Sequence, residues 1–124
     1  MMSKTDVDTT APHRLDDNVL QTAEYLIYGP RADEYGDAFE SFTNISKGWS
    51  VILGVEVPPE AVALCMDWLK TCRLINTPKH RDTIVDKAGY AGCYEKILAG
   101  RARRKEAERR LAEMLTPPEN DGNA

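Results

Sequence analysis

Residues 58–66 read Pro58-Pro59-Glu60-Ala61-Val62-Ala63-Leu64-Cys65-Met66, and this segment predicts a central helix. Proline is well tolerated in the first turn of a helix, and a glutamate there suits the positive end of the helix dipole. The first two turns are apolar on almost every side, which is typical of a helix surrounded by other elements. We expect this helix to run to about Ile75 and to lie at the centre of the fold.

Two helices are predicted before this segment from apolar residues at helical spacing. The first runs from Asp16 to about Tyr28 and is capped by Asp16 or Asp17. The second ends at Leu53, where Gly54 supplies the stop. Their expected apolar faces consist of Val19, Leu20, Ala23, Leu26 and Ile27 in the first helix and Phe42, Ile45, Trp49 and Ile52 in the second.

A fourth helix is predicted from Arg81 or Asp82 to about Leu98. Gly89 and Gly92 lie in its interior, and each costs about 0.8–1 kcal/mol relative to alanine. Either a close approach of another helix or room for a ligand beside Gly89 would compensate for this cost. The sequence therefore predicts an all-α four-helix bundle, and no convincing strand is indicated.

The composition fits one globular domain, with 42% hydrophobic and 29% charged residues among 124. We predict disordered termini at 1–14 and 116–124, a helical bundle domain at 15–100, and a charged helical extension at 101–115. The longest apolar run, 61–66, is far shorter than the ~20 residues of a membrane span. Because no hydrophobic signal region begins the chain, we expect a cytoplasmic protein without a membrane partner.

The three cysteines, Cys65, Cys72 and Cys93, lie in apolar patterns without Cys-x-x-Cys spacing or a nearby histidine pair. This arrangement favours neither a zinc site nor a disulfide framework. We therefore expect thiols that pack in the core.

Charge is unevenly distributed along the chain. The net charge is −4, whereas the 101–115 segment holds six Lys or Arg residues and three Glu residues. Its apolar stripe is thin, which indicates a solvated extension or a weak dimer arm. Nucleic acid is not an expected partner because no aromatic residues interleave the basic ones.

Asp37 and Glu40 open the second helix three residues apart, so both carboxylates lie on one face. Paired carboxylates suit a hard cation such as Mg²⁺, which makes both residues candidate metal ligands. The same pattern resembles a capping box, in which Asp37 accepts from the first turn and Glu40 reaches back. Both interpretations stay open from the sequence.

Lys70 and Arg73 lie three residues apart on the far half of the apolar third helix. They are candidate ligand-binding residues because both could neutralise phosphate oxygens, Arg73 in a bidentate manner. In the alternative, both reach solvent, Lys70 pairs with Asp67 of its own helix, and Arg73 suits the negative end of the dipole.

Asp86 is placed in the middle of the fourth helix, one turn after Asp82 and one turn before Tyr90. A carboxylate among apolar residues needs a partner, because an unpaired buried charge is costly. That partner is either Lys70 or Arg73 in an ion pair, or a metal or ligand. Asp82 and Asp86 are thus candidate metal ligands, and Tyr90 is a candidate ligand-binding residue.

Two loops carry further candidate ligand-binding residues. The charged segment 31–36 precedes the second helix and contains Arg31 and Tyr35, and the loop before the fourth helix contains His80. Either loop could close over a bound anion. A loop histidine is also commonly a solvated residue without a ligand.

In this order and spacing, these residues resemble a family of short phage and prophage proteins that is described as similar to the MazG-like all-helical nucleotide pyrophosphohydrolases. The resemblance covers about residues 20–98, and its most specific motifs are Tyr35-Gly36-Asp37, the Lys70/Arg73 pair and Asp86-Lys87-Ala88-Gly89-Tyr90. The remaining matches are Arg31, Asp33, Phe42, Ile45, Trp49, Leu53-Gly54, Val62-Ala63-Leu64, Met66, Leu69, Leu74 and Asp82.

The MazG-like resemblance implies a helical bundle, often dimeric or higher, in which carboxylates on two helices hold Mg²⁺ and activate water against a nucleoside triphosphate. By position, Asp37 and Glu40 stand for the first acidic helix, and Asp82 and Asp86 for the second. Glu40 and Asp86 are then the catalytic candidates, and the basic pair of the third helix faces the phosphates. The chain departs from the double-glutamate motif of those enzymes.

The expected ligand is therefore a nucleotide or another phosphorylated small molecule, bound by a homo-oligomeric helical protein. Mg²⁺-dependent pyrophosphohydrolysis is the first hypothesis for its function. The second is a non-catalytic protein that sequesters a signalling nucleotide, as a phage anti-defence protein would. The third is a structural bundle that binds a protein partner.

Overall fold

The computed structural model describes residues 16–30 and 32–118, except for the side chains of Asp33 and Tyr35. Within these residues the fold is all-α, with four helices and no strand. The elements are α1 (Val19–Tyr28), a 3-10 helix (Ala32–Tyr35), α2 (Ala38–Leu53), α3 (Pro59–Asn76) and α4 (Arg81–Leu115). The predicted disordered segment 1–14 and the end of the predicted tail, 119–124, lie outside the described residues.

Side-chain caps fix the starts of the first helices. Asn18, rather than Asp16 or Asp17 as predicted, caps α1 because its side chain accepts from the Gln21 N–H at 2.9 Å. Gln21 completes the capping box by accepting from the Asn18 N–H at 2.8 Å. As predicted, α2 ends at a glycine: Gly54 adopts φ 71°, a left-handed conformation that residues with a Cβ rarely adopt.

The central helix is α4, which packs against α1, α2 and α3, while α2 also packs against α3. The prediction that α3 is central is wrong. Its Val62 and Ala63 are buried, but the opposite side exposes Leu64 and Trp68 to solvent. Helix α4 takes the central place because small residues along it allow the other helices to come close.

The fourth helix, predicted to about Leu98, and the predicted helical extension 101–115 form one continuous helix. Gly100 does not break α4. It is buried against Phe39 of α2, so the helix is supported by packing at this point. Beyond Arg101, most of α4 is exposed.

Several residues expected in the core are exposed instead. Leu20 is 68% exposed and Ile52 is 80% exposed, and the thiols of Cys65 and Cys72 are exposed as well. Cys93 is half-buried. The buried apolar residues of the described chain are Ala23, Val62, Ala63, Val85 and Ile97.

None of the helices that the structure describes combines the length and the apolar character needed to cross a bilayer.

Candidate functional site

A cleft opens between α1 and α2, where both helices pack on α4 beside the 3-10 helix. Its apolar half has a volume of about 370 Å³. The walls of this half are formed mainly by Ile27, Phe42, Val85, Gly89, Tyr90 and Cys93. The volume lies in the range typical of small-molecule sites.

The cleft continues into a charged half of about 520 Å³. Ala32, Gly36, Ala38 and Lys96 line both halves, so the two volumes adjoin. The charged half also contains Tyr28, Asp37, Glu95 and Arg103. We call the two volumes together the two-part cleft.

Glycines of α4 allow α1 and α2 to pack closely against α4 on either side of the cleft. A Cβ on Gly92 would lie 3.0 Å from the Ile27 Cγ2, and a Cβ on Gly100 would overlap the Cβ of Phe39. Close helix approach therefore accounts for these two glycines. At Gly89 a Cβ would meet Ile27 only at 3.7 Å, an ordinary contact, and this glycine lines the apolar half.

The apolar half contains an aromatic pair. The rings of Phe42 and Tyr90 meet edge to face, with centroids 6.5 Å apart and planes at 88°. Burial raises the pKa of the Tyr90 hydroxyl, and so does the nearby Asp86 carboxylate, while the Lys70 ammonium acts in the opposite direction. Burial likewise raises the pKa of the Cys93 thiol. Both groups therefore stay protonated at neutral pH, and Cys93 is not an activated nucleophile.

Asp86 is held by Lys70 across the α3–α4 contact, with 2.8 Å between the Lys70 Nζ and the Asp86 Oδ2. The Lys70 side chain is only 12% exposed. Of the two alternatives for Asp86, the structure thus shows the ion pair. The alternative pair of Lys70 with Asp67 is not formed, because the Asp67 Oδ1 binds the Lys87 Nζ at 2.7 Å.

Tyr28 organises the charged half. Its hydroxyl donates to the Glu95 carboxylate, and the Lys96 Nζ lies 5.0 Å from the centre of its ring. Burial, followed by the hydrogen bond to Glu95, raises the pKa of Tyr28 to about 12. The tyrosine is therefore a hydrogen-bond donor and a platform for the Lys96 cation, and it is not a base.

The four predicted metal ligands do not meet at one point. Asp37 caps α2 by accepting from the Glu40 N–H at 3.2 Å, and its Oδ2 lies 3.9 Å from Arg103. This end of α2 packs at Gly100, whereas Asp86 lies 14 residues earlier, ~21 Å away along α4.

Asp82 is one turn further still, in the exposed first turn of α4. Among the side chains that the structure describes, no three His, Cys, Asp or Glu residues form a group suited to a metal ion. The capping role of Asp37 is confirmed, and the magnesium site stays a prediction.

Two other predicted ligand-binding residues that the structure describes lie outside the cleft. Arg73 is exposed on α3, and His80 caps α4 by accepting from the Thr83 N–H at 3.3 Å. Arg31 lies outside the described residues, as does the side chain of Tyr35. Among the predicted residues whose side chains the structure describes, Asp37, Asp86 and Tyr90 are in the cleft walls.

Sequence reasoning missed five polar residues of the cleft, namely Tyr28, Ser41, Glu95, Lys96 and Arg103. A signal for two of them exists, because positions 86, 89, 93, 96, 100 and 103 recur every three or four residues along one face of α4. The expected helix end near Leu98 obscured this face.

The model of the family described as "Domain of unknown function (DUF6378)" matches residues 18–98, more than half of the chain. The chain belongs to this family. The match ends within α4, so it includes both walls of the apolar half but not Arg103.

Two phage relatives are similar to part of the chain. The Gene 55 protein of Mycobacterium phage L5 is 47% identical over 81 residues, which are 64% of this chain and 52% of that protein. The Gene 55 protein of Mycobacterium phage D29 is 39% identical over 83 residues, 67% of this chain and 55% of that protein.

The chain thus spans about half the length of these curated relatives. No solved structure matches it. These matches place the chain in a phage protein family, while the similarity to MazG-like enzymes stays a prediction from the motifs.

Proposed function

We propose that the two-part cleft binds a nucleotide and retains it intact. The observation that carries this proposal is the division of one cleft into an apolar half with an aromatic pair and a charged half with two cations. A nucleotide is divided in the same way, into a flat base and an anionic phosphate. The ligand class therefore follows from the chemistry of both halves together.

The base would occupy the apolar half. Phe42 and Tyr90 offer aromatic surface to a flat ring, and burial keeps the Tyr90 hydroxyl protonated as a hydrogen-bond donor. Gly89 adds no side chain to this wall, so the volume beside Ile27 is left to a ligand. An apolar site with a few polar groups is the usual composition of a small-molecule pocket.

The phosphates would occupy the charged half. The Lys96 ammonium lies over the ring of Tyr28, and the Arg103 guanidinium makes a long and exposed pair with Asp37 at 3.9 Å. Neither contact is a tight ion pair, so both cations can turn to phosphate oxygens at small cost. Arginine is suited to bidentate contact with phosphate.

Two observations favour retention of the nucleotide over the hydrolysis hypothesis. Tyr28, Tyr90 and Cys93 have raised pKa values, so these groups supply neither a base nor a nucleophile at neutral pH. The candidate carboxylates of α2, Asp37 and Glu40, lie near Gly100, ~21 Å along α4 from Asp86. Non-catalytic sequestration, the second hypothesis from the sequence, is therefore the function that we propose.

The experiment is an incubation of the full chain with nucleoside triphosphates and cyclic dinucleotides, with and without Mg²⁺. Chromatography of the solution and of the protein-bound fraction identifies what is bound and what is converted. We expect intact nucleotide in the bound fraction, with tighter binding than that of the nucleoside or of pyrophosphate alone. Monophosphate that appears only with Mg²⁺ would replace retention with hydrolysis.

Matched variants locate the site. Lys96→Gln removes a cation from the cleft, whereas Lys105→Gln removes the same charge from the exposed part of α4. We expect Lys96→Gln to weaken nucleotide binding about tenfold, the effect of losing ~1.4 kcal/mol of interaction, and Lys105→Gln to leave it unchanged. Equal effects of the two variants would contradict the assignment of the phosphates to this cleft.

A further inference from the structure

The outer side of the α2–α3 hairpin carries large apolar side chains that none of the residues 16–30 and 32–118 covers. On α3, Leu64, Trp68 and Ile75 follow one another at helical spacing, and Trp68 is 68% exposed. On α2, the last turn is apolar and Ile52 is 80% exposed. We define the hairpin face by its seven exposed apolar residues: Val51, Ile52, Leu53, Leu64, Trp68, Leu69 and Ile75.

The stripe on α3 is apolar, and of the exposed residues of that helix only Arg73 is charged. Cys65 and Cys72 are exposed between its apolar residues. Asp67 and Lys70, in contrast, project from the other side of α3 and are paired with residues of α4. A solvated helix face normally carries charged residues, so this composition is typical of an interface core.

The buried core of the single chain is small by comparison. Among the described residues, the large side chains with less than 2% exposure are Ile97 and Val62. A domain of this size normally buries roughly two thirds of its unfolded surface. The hairpin face therefore holds apolar side chains that the fold needs to bury and that the described part of the chain leaves in water.

We propose that two copies of this chain dimerise through the hairpin face. Together its seven side chains expose several hundred Å² of apolar surface, on the order of the ~800 Å² that each partner contributes to a standard interface. A mostly apolar surface is characteristic of permanent homodimers rather than of transient partners. A second copy is also the partner that is present whenever the chain is made, as a contribution to folding requires.

The geometry of such a dimer follows from its symmetry. A two-fold axis brings the same patch of each subunit together, so two hairpins would pack into an intermolecular four-helix layer. Trp68 lies in the middle of the α3 stripe and is its largest side chain, so we expect it to anchor the interface. The nucleotide cleft lies between α1 and α2 on α4, and dimerisation does not depend on its ligand.

Sedimentation equilibrium of the full chain over a concentration series tests the proposal with matched variants. Trp68→Glu places a charge in the hairpin face, and Leu20→Glu places one on α1 at a residue with the same 68% exposure. We expect wild type and Leu20→Glu at twice the chain mass of 13.9 kDa. Trp68→Glu should raise the dissociation constant at least about thirtyfold.

A third variant separates this surface from the charged end of α4. Met114→Glu alters an exposed apolar residue of that segment, for which the sequence left open a solvated extension or a weak dimer arm. We expect it to leave the dimer intact. A monomeric wild type, equal dissociation of Leu20→Glu and Trp68→Glu, or dissociation by Met114→Glu alone would each overturn the proposal.

A measurement on the wild-type chain covers the case in which Trp68→Glu does not fold. Cys65 and Cys72 are exposed in the single chain, and the dimer would cover them. We expect their reaction with a bulky maleimide to slow as protein concentration rises. A rate that is independent of concentration would overturn the proposal.

Discussion

The two sides of the α2–α3 hairpin differ in the burial of their apolar residues. Its inner side packs on α4, where Val62 and Ala63 are buried and Lys70 forms an ion pair with Asp86. Its outer side leaves Ile52 and Trp68 largely exposed. The amphipathic pattern in the sequence shows that a helix has apolar faces, and the comparison teaches that such a pattern does not say which molecule will cover them.

The largest expected effect compares a buried isoleucine of α4 with an exposed isoleucine on the outer side of the hairpin. Ile97→Ala removes a side chain with 0% exposure from the core, so we expect it to lower the free energy of unfolding by about 2–5 kcal/mol. Ile52→Ala removes one that is 80% exposed. At a concentration where the chain is monomeric, we expect the second change to cost less than 1 kcal/mol.

Urea denaturation at several fixed protein concentrations measures both variants. If Ile52→Ala costs as much as Ile97→Ala in the monomer, the outer side is packed within the chain and the comparison fails.

A smaller effect is expected at two glycines of α4, Gly89 and Gly100. A Cβ at Gly100 would overlap Phe39, so we expect Gly100→Ala to destabilise the protein by about 1–3 kcal/mol. At Gly89 the added Cβ meets Ile27 at 3.7 Å, an ordinary distance. Gly89→Ala should therefore stabilise the protein by up to about 1 kcal/mol through helix propensity.

Thermal unfolding followed by circular dichroism compares the two alanine variants. Equal shifts in melting temperature would show that α2 does not approach α4 as closely at Gly100 as the structure indicates.

The smallest expected effect concerns the ion pair that holds the start of α3 on α4. The two terminal nitrogens of the Arg101 guanidinium donate to the Glu60 carboxylate, and this hydrogen bonding lowers the pKa of Glu60. We expect Glu60→Gln to cost about 1–2 kcal/mol at pH 7. A lowered folded pKa stabilises the protein above the unfolded pKa, and this contribution is lost as the pH falls through the folded value.

Denaturation of wild type and Glu60→Gln between pH 7 and strongly acidic pH follows this loss. The two stabilities should converge as the pH falls. Glu106→Gln, whose partners Arg109 and Arg110 lie on the exposed end of α4, serves as the control and should cost less at pH 7. A difference for Glu60→Gln that persists in acid would contradict the role of its charge.

The four helices were predictable because their signals are local. Gly54 ends α2 and Pro59 begins α3 as the sequence predicts, and Asp37 caps α2. The cap of α1 was not predicted correctly, since Asn18 and Gln21 form a reciprocal pair that the nearby acidic residues obscured. The helix ends are thus determined by chemistry within a few residues.

The site was less predictable because it depends on residues far apart in the chain. Asp86 and Tyr90 were identified as unusual polar residues in a helix interior, and both line the cleft. Lys96 and Arg103 were not identified, since the sequence predicted a helix end between them. Only the packing of Phe39 on Gly100 shows that α4 continues through this point.

The sequence by itself determined the helical class, most helix boundaries and the need of Asp86 for a partner, because propensity, capping and the cost of an unpaired charge act locally. The tertiary structure decided that Lys70 is that partner, that α4 rather than α3 is central, and where the cleft opens. The physical reason is that the hydrophobic effect is non-directional, so an apolar face does not specify the surface that covers it. Which surface covers it depends on close approach, and here the glycines of α4 allow that approach.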